Sequence, residues 1–169
     1  MSNPGSTAMA GETIDLVGPS TINSVQVYNS SNNTPPIQTT LAAYGTLGSM
    51  YDTDPAYEMT VVLNEGWNTI DLSGHNWSFN GKYIIAYEFS DVIQAELDIS
   101  AVPSAHSMFK PSSGGWETWA ESIAGSDLSD GEWGIRANIT YEGAGVTYNV
   151  YRDEEMITGG LNTNNYSDL

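Results

Sequence analysis

Short runs of alternating apolar and polar residues recur along the chain, each bounded by turn residues, and no stretch carries a helical repeat. Side chains of an extended strand point to opposite faces with a period of two, so such runs predict half-buried β-strands and little else. Ser20 to Tyr28 is the first strand, closed by the turn-rich Asn29 to Pro36, and Gln38 to Tyr44 is a weaker one. Glu58 to Leu63 leads into Asn64-Glu65-Gly66, and Trp67 to Leu72 continues beyond it, which predicts a β-hairpin. Asn80-Gly81 marks another turn. In Lys82 to Phe89, Tyr83, Ile85, Tyr87 and Phe89 share one face while Ile84 and Ala86 lie on the other, so this strand belongs in the centre of a sheet. Ile93 to Ile99 and Trp133 to Tyr141 alternate cleanly. Glu117 to Ala124 is the best helical candidate, but its shortness and flanking glycines favour a loop. Six to nine such strands predict an all-β, antiparallel, jelly-roll-like β-sandwich.

Composition then narrows the function. Four basic and 21 acidic residues give a net charge of −17. A surface that acidic repels phosphate backbones and anionic headgroups, which argues against nucleic acid as a partner. No apolar run approaches the roughly 20 residues of a membrane helix, so no membrane insertion is expected. The absence of cysteine excludes disulfides, thiolate nucleophiles and cysteine-ligated zinc. The opening MSNPGSTAMA lacks the basic and apolar regions of a signal peptide, so residues 1–12 are taken as a leader. The sandwich is expected over residues 13–143.

Glu142 to Gly145 then forms a linker, and residues 144–169 change character. The phrase TYNVYRDEEMITGGLNTNNYSD, within Val146 to Asp168, resembles the middle of a bacterial fibronectin type III repeat. The repeat's opening and closing strands are missing around it. Its edges are thus expected either to pair with the sandwich or to drive self-association.

The larger segment, Ile22 to Tyr141, carries GWNTIDLSG and FNGKYIIAYEFSD (within Gly66 to Asp91), then GGWETW (Gly114 to Trp119) and GIRANITYEG (Gly134 to Gly143). That order of motifs resembles a jelly-roll accessory module of large secreted or cell-surface bacterial proteins, Bacteroidetes-like in kind. The resemblance implies a non-catalytic module, secreted or at the cell surface, in adhesion or in positioning neighbouring domains. Its partner would be a glycan or a protein on a cell surface or matrix.

Two constellations offer more specific chemistry. Hard cations take six to eight oxygens from irregular loops. Asp127, Asp130 and Glu132 around Gly131, and Asp52 and Asp54 around Thr53, supply carboxylates for a structural Ca2+. Aromatic rings on loops stack on the apolar faces of sugars, and Trp116, Trp119 and Trp77 lie in loop-like stretches. The alternative function is accordingly a calcium-stabilised carbohydrate-binding module. Trp67 and Trp133 are expected in the core from alternation. An acidic glycoside hydrolase-type enzyme stands third, since it requires only two carboxyls at the right separation. His75 and His106 are isolated and build no triad.

Overall fold

A computed structural model describes residues 8–16, 18–89, 95, 97–98, 106–127, 130–141, 148–152 and 155–161. Its strands are β1 (Ala8–Ile14), β2 (Pro19–Asn29), β3 (Ile37–Tyr44), β4 (Thr46–Leu47), β5 (Met50–Tyr51), β6 (Tyr57–Leu63), β7 (Gly66–Asp71) and β8 (Ser78–Asn80). They continue as β9 (Tyr83–Phe89), β10 (Leu97–Asp98), β11 (Ser107–Lys110), β12 (Glu117–Thr118), β13 (Glu132–Trp133), β14 (Ile135–Tyr141), β15 (Tyr148–Arg152) and β16 (Glu155–Leu161). The protein is all-β, built on two antiparallel sheets. One has six strands in the order β12-β11-β1-β9-β3-β6, and the other has β14-β2-β7 with β8 also on β2.

The alternation decides which residues meet between the sheets. Ile22, Val25 and Val27 of β2 join Leu41 and Ala43 of β3, Val61 and Leu63 of β6, and Tyr83, Ile85 and Tyr87 of β9 in one buried cluster. Strand β9 is central, between β1 and β3, and apolar on both sides. Its opposite face, with Ile84 and Ala86, joins Met9, Ala42, Tyr44 and Met108 in a second cluster on the outside of the six-stranded sheet. Gly11 lets β1 approach there: a Cβ at that position would stand 2.6 Å from Ile84 Cγ2.

Several expectations change. Residues 8–12 belong to the six-stranded sheet, where β1 lies between β9 and β11 with Met9 and Ala10 buried. The sequence around Asn64-Glu65-Gly66 makes a turn, with Gly66 at φ +85°, but not a hairpin. β6 pairs with β3 and β7 pairs with β2, so the turn carries the chain from one sheet to the other. Side-chain amides hold this crossing. Asn68 Nδ2 donates to the carbonyls of Asn64 and Gly66 at 2.8 Å each, and its Oδ1 accepts from the Asn64 N–H at 2.8 Å. Buried Asn29 donates to the Leu63 and Asn64 carbonyls and accepts from Asn33 at 2.7 Å. Asn80-Gly81 also crosses between sheets, from β8 on β2 to β9.

The stretch expected to be a loop contains one helical turn, α1 (Trp119–Ser122), because Thr118 and Glu121 form a reciprocal capping box. Of the Ile93 to Ile99 strand, Leu97 and Asp98 pair with β13, and the rest apart from Ala95 lies outside the described residues. β15 and β16 pair with each other, and among the described residues neither pairs with the sandwich.

Candidate ligand-binding cleft

The second apolar cluster faces away from the sandwich interior and has to be covered by something other than a sheet. The two-residue turn Gly48-Ser49 folds β4 back on β5, with Leu47 opposite Met50, and this ribbon supplies one cover. The segment after β11 supplies the other, ending in β12 paired on β11 with Met108 opposite Thr118. Tyr51 and Trp116 from these two covers pack on the cluster. Between them the covers leave a cleft of about 380 Å³, lined chiefly by Met50, Tyr51, Thr53, Trp116, Glu117 and Thr118, with Ser49, Met108 and Glu121 contributing.

Trp116 stands edge-on to Tyr44, with ring centroids 4.9 Å apart, and its Nε1–H is buried without a hydrogen-bond acceptor. Such a donor forfeits the free energy of its lost water contact. Burial first, then the charges of Glu58, Glu88 and Asp54, push the Tyr44 hydroxyl up to about 12, so it stays a neutral donor. Lys110 places its ammonium 5.2 Å over the Tyr44 ring and donates to the Thr53 carbonyl at 2.6 Å, tying the two covers together. On the rim, the Thr118 hydroxyl and N–H donate to Glu121 Oε2 at 2.7 and 3.0 Å. Those bonds hold the Glu121 carboxyl below its ordinary range, so it presents an acceptor.

The other named tryptophans lie elsewhere. Trp77 is buried, 3% exposed, and stacks on Tyr57 at 5.6 Å, so it is a core residue and not a surface platform. Strand β8 explains this: Ser78 begins pairing with β2 directly after it, and the Trp77 carbonyl accepts from the Ile22 N–H. Trp119 packs inward against Trp133 and Phe109, with centroids 4.8 and 5.9 Å away. Trp133 is buried as alternation implied, and its Nε1–H donates to the Met108 carbonyl. Trp67 is 44% exposed and not in the core. In the β2 register it stands opposite Tyr28, sharing the solvent face with Thr69 and Asp71.

Asp52 lies against Gly45, Asp54 is exposed, and neither lines the cleft. Asp130 Oδ1 accepts the Gly131 N–H at 2.8 Å, Asp127 is exposed, and Glu132 pairs opposite Asp98 in the β10–β13 ladder. Among the described residues no three His, Asp or Glu side chains gather as a metal site.

One carboxyl escaped the sequence reading altogether. Glu12, on β1, accepts from the Ser107 hydroxyl at 2.6 Å and the Trp133 N–H at 2.9 Å. Burial raises its pKa to about 7, and those two hydrogen bonds only partly offset the rise. It does not line the cleft. His106 lies close by, its Nδ1 3.1 Å from the Thr13 hydroxyl.

Comparison of the chain with known protein families, with curated proteins and with solved structures finds no match. The class defined by fold and site is therefore an antiparallel β-sandwich with a small aromatic and oxygen-rich cleft on the outside of its larger sheet.

Proposed function

We propose that the chain is a non-catalytic accessory module of a secreted or cell-surface bacterial protein, which contacts a glycan through the Trp116 cleft. The observation supporting this reading is the cleft's make-up. The rings of Trp116 and Tyr51 border it together with the hydroxyls of Ser49, Thr53 and Thr118 and the carboxylates of Glu117 and Glu121. Flat apolar surface beside several oxygen acceptors suits a pyranose, whose two faces are C–H-rich and whose edge is a ring of hydroxyls. About 380 Å³ accommodates a short saccharide unit and no long chain. A contact that small is weak alone and gains strength when several modules act together, as in adhesion. Among the described residues the one carboxyl whose burial favours the protonated form, Glu12, does not line the cleft, so the arrangement lends no support to acid catalysis there.

The test is a glycan array with the wild-type chain and Trp116→Ala, run in calcium and again in EDTA. Selective binding that falls by about tenfold or more in the variant supports the reading, as expected for loss of a stacking ring. The EDTA arm reports on the calcium expected at the acidic loops. Silence from a folded sample would overturn the glycan reading. It would favour a protein partner at the β4–β5 tip, where Leu47 and Met50 are 76% and 71% exposed.

A further inference from the structure

The outer face of the four-stranded sheet is polar apart from Tyr28 and Trp67, and among the described residues one cation, Arg136, stands on it. β14 presents Arg136, Asn138 and Thr140, β2 presents Thr21, Asn23, Ser24, Gln26 and Tyr28, and β7 presents Trp67, Thr69 and Asp71. The extra residue Asn23, opposite the register shift between Asn138 and Ile139, sets Asn23 and Ser24 side by side on this face. Arg136 reaches across β2 and lays its guanidinium 4.2 Å above the Trp67 ring, while Tyr28 meets that ring edge-on at 5.5 Å.

In a chain with 21 acids and four bases, a cation would ordinarily find a carboxylate. Arg136 has none among the described residues. The nearest acid in its neighbour's strand, Asp71, has a carboxyl that already accepts the Ser73 N–H at 2.9 Å. A guanidinium over a ring still has N–H groups to offer a planar acceptor. Beside it is a depression of about 360 Å³ lined by Ser24, Gln26, Arg136, Ala137 and Asn138. The Gln26 amide bonds the Thr69 hydroxyl and the Asn138 amide bonds that of Asn23. Each amide keeps one further polar atom for a ligand, and the Ser24 hydroxyl can donate or accept.

We propose that this face is a second binding site, for a saccharide carrying a single carboxylate. The carboxylate pairs with Arg136, and the sugar hydroxyls fall on the amide and hydroxyl groups of the depression. Charge complementarity selects this ligand over a neutral one, because among the described residues the Arg136 guanidinium has no carboxylate partner and is the one charge lining the depression. It also selects against a phosphate, whose nearly double charge calls for more than one cation. The net charge of −17 disfavours a densely charged polyanion, while screening over about 8 Å at physiological ionic strength lets an isolated acid reach Arg136. The proposal does not rest on the glycan reading of the Trp116 cleft.

Isothermal titration with a glucuronosyl-galactose disaccharide and with its methyl ester tests it. Esterification keeps the shape and removes the charge. The free acid is expected to bind and the ester to bind about tenfold or more weaker, as loss of a charge-assisted bond implies. Arg136→Gln should match that loss for the acid, Arg136→Lys should recover part of it, and Val62→Ala, exposed and outside the lining of both the cleft and the depression, should leave it unchanged. All these positions are at least partly exposed, so circular dichroism confirms that each variant folds. Equal affinity for acid and ester, an unaffected Arg136→Gln variant, or no binding of the acid by a folded sample would overturn the proposal. Loss in Trp116→Ala with none in Arg136→Gln would assign the sugar to the cleft alone.

Discussion

The outer faces of the two sheets solve the same problem in opposite ways. On the six-stranded sheet, Met9, Ala42, Ile84, Ala86 and Met108 face outward and are buried, because the β4–β5 ribbon and the Trp116 segment are laid over them. On the four-stranded sheet the outward residues are amides, hydroxyls and one Trp–Arg stack, and nothing covers them among the described residues. An apolar outer face has to recruit chain to hide it, and imperfect cover between irregular segments leaves a cleft. A polar outer face is satisfied by water and cross-strand pairs such as Asn23–Asn138 and Gln26–Thr69. Anything that covers it has to come from outside the described fold.

The sharpest way to break this comparison is to truncate one residue on each outer face. Ile84, fully buried under the covers, should cost about 2–5 kcal/mol as Ile84→Ala, measured by denaturant unfolding. Thr69→Ala on the exposed face should stay within about 0.5 kcal/mol, apart from its bond to Gln26. Equal costs would mean that the covers do not exclude water. Gly11→Ala asks how tightly the covered face is packed. The added methyl meets Ile84 Cγ2 on a stiff, β-branched side chain, so a loss of about 1–3 kcal/mol is expected. A smaller cost of Gly11→Ala in an Ile84→Leu background, where the side chain has no Cγ2 branch, would tie the cost to that contact.

Glu12 probes the layer between the two faces. Its carboxyl titrates near 7 in the fold against an ordinary 4.5, so folding favours the protonated form. That contribution is complete below about pH 4.5, declines as the unfolded chain ionises first, and is gone above about pH 7. Glu12→Gln keeps an acceptor for Ser107 and Trp133 but cannot ionise. Its melting temperature relative to the wild type should therefore rise between pH 4.5 and 7 and level off beyond. A difference flat across that range would show that Glu12 gains no proton on folding.

Much of the sandwich was legible because alternation reports faces directly. Tyr83 to Tyr87, apolar on both sides, announced a central strand, and Trp133 a buried ring. Alternation does not report partners, which is why Gly66 marked a turn while the pairing of β6 with β3 and β7 with β2 stayed hidden. It also leaves open which of two faces is the wet one. Trp67 and Ile70 alternate equally well in either sense, and the register with β2 turned Trp67 outward. Trp77 looked like a loop ring because its burial depends on Tyr57, twenty residues earlier and in the other sheet. Trp116 was placed in a candidate site by its glycine-bounded loop, but its cleft companions Tyr51 and Met50 come from a distant ribbon that carries no motif. Glu12 fell in a segment taken for a leader, where a lone carboxyl among small residues gives no sign of burial.

The smallest expected effect concerns the exposed face alone. Trp67 and Arg136 stack at 4.2 Å across an intervening strand, and a partly exposed pair of this kind contributes roughly 0.5–1 kcal/mol. A double-mutant cycle over Trp67→Ala and Arg136→Ala, read by denaturant unfolding, should return a coupling energy in that range. Each single variant should cost little more than the coupling, since neither residue belongs to the buried clusters. Raising the salt concentration should leave the coupling largely in place, because the contact excludes water from one side of the guanidinium, whereas the exposed Lys82–Asp15 ion pair, 3.7 Å apart, should weaken. A coupling of zero would mean that Arg136 swings free in solution. The uncovered face would then lack the fixed cation that sets it apart from an ordinary solvated sheet.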